Sequence, residues 1–124
     1  MEWTKRTNSD VFDEAQALSS VGGDREFLVE LFGLTSAAWP SILADIRVGM
    51  AAGNLATVLR AARLAKAAAR NISARRAYES ASRLEEFLTS GDLQASQKAS
   101  TRLEHEVELL QSVQPAFASA ECAA

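Results

Sequence analysis

The chain has 124 residues, a formal net charge of −3, one His and one Cys. That length suits one domain with a core that needs no staples. The single Cys and single His exclude an intrachain disulfide framework and a Cys/His zinc site, and a Ser-His-Asp or Cys-His hydrolase would have to use His105.

Alanine is the commonest residue, at 24 of 124, and Leu, Glu and Arg are also frequent. These are strong helix formers, while period-2 runs of β-branched and aromatic residues are absent, so the expected class is all-α. The opening Met1-Glu2-Trp3-Thr4-Lys5-Arg6 is an extension, 1–10, without the apolar core of a signal peptide. No run reads as the 18 or so apolar residues of a membrane helix. With no disulfide framework, the expectation is a cytoplasmic protein with no membrane partner.

Turn and cap residues then divide the chain. Gly22-Gly23-Asp24, Gly53-Asn54 and Ser90-Gly91-Asp92 each read as a turn followed by a helix N-cap, and Asn71-Ile72-Ser73 is a weaker break. The spacing predicts helices over 14–20, 25–51, 55–72, 75–89 and 93–113. In the second, Leu28, Leu31, Phe32, Thr35, Trp39, Ile42, Ile46 and Met50 keep one apolar stripe. That stripe runs in phase through Pro40, which predicts one bent helix rather than two. The third segment repeats the pattern at Leu55, Val58, Leu59, Ala62, Ala65, Ala69 and Ile72, and the fourth at Tyr78, Ala81, Leu84 and Leu88. The fifth does so at Leu93, Ser96, Ala99, Leu103, Val107, Leu110 and Val113. Pro115 is expected to stop it, leaving 115–124, with Cys122, as a frayed tail. Short connections make sequential helices antiparallel. The expected architecture is an up-down-up-down four-helix bundle over 11–114 with a short N-terminal helix.

Charge is unevenly placed. Between Ile46 and Tyr78 there is no acid but seven bases: Arg47, Arg60, Arg63, Lys66, Arg70, Arg75 and Arg76. The other six bases and sixteen acids sum to −10, which restores the net −3. At roughly 100° per residue, Lys66, Arg70 and Arg63 form a ladder on one shoulder of the stripe centred on Ala62, with Arg60 and Ala67 further round. A solvated face paired with Glu79, Glu85 and Glu86 is one reading; a docking face for an acidic partner or phosphate is the other. Nucleic acid is disfavoured, because no aromatic lies among these bases and the chain is acidic.

The segment Ala61-Ala62-Arg63-Leu64-Ala65-Lys66-Ala67-Ala68-Ala69-Arg70-Asn71-Ile72 resembles the central helix of histidine phosphotransfer (HPt) domains. Phe12-Asp13, Gly22-Gly23-Asp24, the long helix with its internal Pro, Gly53-Asn54, Leu84-Glu85 and Gly91-Asp92 follow the same layout. The resemblance implies that the family's phospho-accepting histidine position is Arg63, its lysine is Lys66, and the glycine that admits a partner is Ala67. It also implies a partner: the receiver domain of a response regulator or hybrid histidine kinase. Arginine stays protonated, has no acceptor lone pair and is no nucleophile. The resemblance implies that such a domain is not an enzyme and carries no phosphate: a pseudo-HPt module of a two-component phosphorelay, expected to dock through Arg60, Arg63, Lys66, Ala67 and Arg70, with no metal or cofactor. A phosphotransfer protein inactivated by a His-to-Arg change and an unrelated four-helix interaction module are the alternatives. His105 lies among Glu104, Glu106 and Glu108, which favour its imidazolium, so it reads as a surface residue.

Overall fold

The computed structural model describes the backbone of residues 8–123 and the side chains of 10–113. Every regular element among the described residues is a helix: α1 (Asn8–Val11), α2 (Glu14–Ser20), α3 (Arg25–Ala52), α4 (Leu55–Asn71), α5 (Arg75–Ser90) and α6 (Leu93–Ala123). The starts follow from capping chemistry. The Asp13, Asp24 and Asn54 side chains accept from Gln16 N, Phe27 N and Thr57 N at 3.0, 3.0 and 3.3 Å, and Asp92 accepts from Ala95 N at 3.0 Å. Each satisfies an N–H that a helix start leaves without a partner. Gly53 and Gly91 end α3 and α5 at φ 72° and 81°, the left-handed conformation that a side chain disfavours.

α3 packs against α4 and α6, and α5 packs against the same two helices. The stripe residues Leu28, Phe32, Trp39, Ile42 and Ile46 of α3 are buried, with Val58, Ala62, Ala65 and Ala69 of α4, Ala81 and Leu84 of α5, and Leu103, Val107 and Leu110 of α6. Trp39 is wholly enclosed, and its indole Nε1 has no hydrogen-bond partner among the described residues. α3 is one uninterrupted helix with Pro40 inside it, as phase continuity predicts. By length and composition alone it is apolar enough to cross a membrane, contrary to the expectation that no run in the chain is; core helices pass the same test.

At the N-terminal end a helical turn spans Asn8–Val11, and Val11 and Phe12 are buried in the core. Phe12 meets Phe32 edge-to-face at 4.8 Å, and Asp13 N donates to the Ser73 carbonyl at 3.0 Å. Pro115 does not stop the last helix, whose backbone continues to Ala123. The proline removes one backbone donor, and the alanine-rich residues after it carry the helix onward. The side chain of Cys122 lies outside the described residues.

Candidate functional site

Arg63, Lys66 and Arg70 stand at i, i+3 and i+7 on α4, so they share one face. That face meets α5, where Tyr78 and Glu85, seven residues apart, share a face of their own. Glu85 joins the two rows. Its carboxylate accepts from Arg63 Nε at 2.9 Å through Oε2 and from Lys66 Nζ at 2.9 Å through Oε1. These bonds, from Lys66 first and then Arg63, hold the Glu85 carboxyl below the ordinary glutamate range. One turn further, Arg70 donates to the Tyr78 hydroxyl at 3.3 Å, and the Lys66 and Arg70 cations lie 5.8 and 5.6 Å from the Tyr78 ring centre. The Arg70 hydrogen bond and its charge pull the phenol's pKa down.

Arg63, Lys66, Ala67, Arg70 and Glu85 line one open hollow. The methyl of Ala67 leaves its floor low. Arg60, expected in the same face, lies outside this hollow; it is exposed and forms no ion pair with a described residue. Arg75 and Arg76 leave the row altogether. Arg75 pairs with Asp13, and Arg76 pairs with Glu106 at 2.8 Å. The seven-base segment therefore divides: Arg63, Lys66 and Arg70 keep the row, Arg47, Arg75 and Arg76 each pair with a different acid, and Arg60 stands outside these.

The solvated-face and docking-face readings meet at Glu85. Of the three acids offered as partners, Glu85 takes both Arg63 and Lys66. Yet the Arg63 side chain stays 62% exposed and Lys66 30%, so both cations reach solvent beside their partner. Tyr78 was read only as an apolar stripe residue. Its seven-residue spacing from Glu85 is the signal that places it opposite the basic row.

The set offers charge-assisted hydrogen bonding, with Lys66 engaged by Glu85. Guanidinium, ammonium and methyl groups line the hollow, together with one carboxylate already engaged twice. Among the described residues no group of three His, Cys, Asp or Glu side chains could hold a metal ion. His105 is exposed on α6, a different helix from the basic row. No family model, no curated protein and no solved structure matches the chain.

Proposed function

We propose that α3 to α6 form an up-down-up-down bundle of the histidine phosphotransfer kind, and that the chain is a phosphorelay docking module that carries no phosphate. The observation that supports this most is the row Arg63, Lys66, Ala67 and Arg70 on one open face of α4. It keeps cations and a small residue at the positions the resemblance marks for partner contact, and it puts a guanidinium where the resemblance requires an imidazole. The partner is a receiver domain, cytoplasmic as the module is, whose acidic pocket offers carboxylates to Arg63 and Lys66. Docking exchanges Glu85 for those carboxylates, so the contact is one ion pair replacing another. It is accordingly weak and salt-sensitive.

Titration of a panel of receivers against the chain, followed by calorimetry, tests this. A receiver that binds the wild type is expected to lose about tenfold or more in affinity to Arg63→Glu, which reverses one charge at the contact. Phosphoryl transfer from a phosphorylated receiver is expected to Arg63→His and not to the wild type. If no receiver binds either form, the reading fails and an unrelated four-helix interaction module takes its place. Label on the wild type would sink the loss of phosphotransfer and redirect attention to His105.

A further inference from the structure

A second basic hollow lies between α5 and α6. On α5, Ser80, Arg83 and Phe87 follow one stripe; on α6, Ala95, Lys98, Ala99 and Arg102 follow another, and these seven residues line a hollow of about 290 Å³. Ser80, Ala95 and Ala99 are short, so the interface dips between them, while the long side chains of Arg83, Phe87, Lys98 and Arg102 stand round the dip. No carboxylate of a described residue lines it.

Glu106, whose side chain is 1% exposed, lines the hollow next to it. It accepts from Arg102 Nε at 2.8 Å and from Arg76 Nη2 at 3.0 Å. Arg102 is thus held through Nε, and its two Nη groups make no hydrogen bond to a described residue. An adjoining hollow, lined by Arg76, Glu79, Ser80, Arg83, Arg102 and Glu106, shares three of these residues.

The charge balance separates this place from the α4 face. There, Glu85 and Tyr78 engage all three cations of the row. Here, Arg83 and Lys98 have no ion pair or side-chain hydrogen bond with any described residue. Arg60 is the one other described cation in that condition, so two of three unsatisfied cations border a single hollow. Arginines fixed through Nε by a buried carboxylate present their forks to oxygen anions at little ordering cost. Arg83 and Lys98, unpaired among the described residues, with the Nη groups of Arg102 beside them, match a compact group that carries two negative charges. A phosphate dianion supplies that, and one carboxylate does not.

We propose that the α5–α6 hollow is a binding site for a phosphate group, gripped by Arg83, Lys98 and Arg102, with Phe87 covering an apolar or aromatic remainder of a phosphate ester. The site is independent of the α4 row and stands whether or not that row meets a receiver.

Backbone NMR titration of the full chain with inorganic phosphate and with phenyl phosphate tests it, against sodium chloride at matched ionic strength. Both phosphates are expected to move amides in 80–87 and 95–102 saturably, with phenyl phosphate binding the tighter. Arg83→Gln with Lys98→Gln, both exposed positions, is expected to weaken binding about tenfold or more, since two charge-assisted contacts are lost. The Arg63→Glu variant is expected to bind phosphate as the wild type does. Shifts that sodium chloride reproduces would overturn the proposal. Shifts centred on 63–70 instead would also overturn it. So would saturable binding of a poly-glutamate peptide with none of either phosphate, which would make the groove a protein-docking surface.

Discussion

Ser73 holds φ at 56°, the one non-glycine among the described residues with a positive φ. Its carbonyl is taken by Asp13 N and its N–H by the Arg70 carbonyl, at 3.0 and 3.2 Å, so the turn between α4 and α5 cannot relax to suit the side chain. A side chain in that conformation costs about 1–2 kcal/mol, against roughly 0.5–1 kcal/mol of added chain entropy for glycine. Ser73→Gly is therefore expected to raise stability by about 0.5–1 kcal/mol, read from the urea midpoint. A fall would show that the Ser73 side chain contributes more than its backbone strain costs. At this scale the site was half legible. The ladder Arg63, Lys66 and Arg70 follows from helical period alone. The choice of Glu85 over Glu79 and Glu86 does not, because only the rotation of α5 against α4 decides which carboxylate faces the row. For the same reason Arg60 read as part of the face and is not part of the hollow.

At the scale of the elements, Gly49 of α3 is the one glycine where an added Cβ would meet a neighbouring atom within 4 Å. A Cβ there would stand 2.7 Å from Val58 Cγ2 and 3.2 Å from the Asn54 carbonyl oxygen. Val58 is fully buried and β-branched, so it has no easy rotamer to retreat to. Gly49→Ala gains about 1 kcal/mol of helix propensity but incurs overpacking of roughly 1–3 kcal/mol. The expected outcome is a net loss of stability, and pairing it with Val58→Ala is expected to recover part of the deficit in a double-mutant cycle. A stabilised single variant would show that α3 and α4 can shift apart freely. Helix starts were legible because Asp24, Asn54 and Asp92 each follow a turn glycine and act through local bonds. The prolines were not equally legible. Pro40 lies within a strong apolar stripe that carries the helix through, while Pro115 is followed by small residues with no stripe to show that the helix continues. In both places the cost is one backbone donor, and the surrounding helix absorbs it.

Across the whole molecule, two carboxylates hold their charge to lower pH because arginines and a lysine stand beside them. Burial pushes the Glu106 carboxyl up, but hydrogen bonds from Arg102 and Arg76 outweigh it and leave the group below its ordinary range. Glu85 is lowered by Lys66 and Arg63. Both therefore bind a proton more weakly in the folded chain than in the unfolded one. Their contribution is fully present above the ordinary glutamate value of about 4.3, and it is lost as pH falls through the lowered folded values. Stability is expected to hold from pH 7 to about 5 and then to drop, with the unfolded chain taking up protons first. Glu106→Gln separates the buried triad from the rest. It leaves Arg76 and the more open Arg102 without their anion, and is expected to cost about 1–3 kcal/mol at neutral pH. Its stability profile below pH 5 is expected to be flatter than the wild type's, because one of the two lowered carboxyls is gone. Urea unfolding at pH 7, 5, 4 and 3 reads both effects. Parallel profiles for wild type and variant would show that Glu106 has the same proton affinity folded and unfolded, and that the acid sensitivity of the chain arises at Glu85 and the surface.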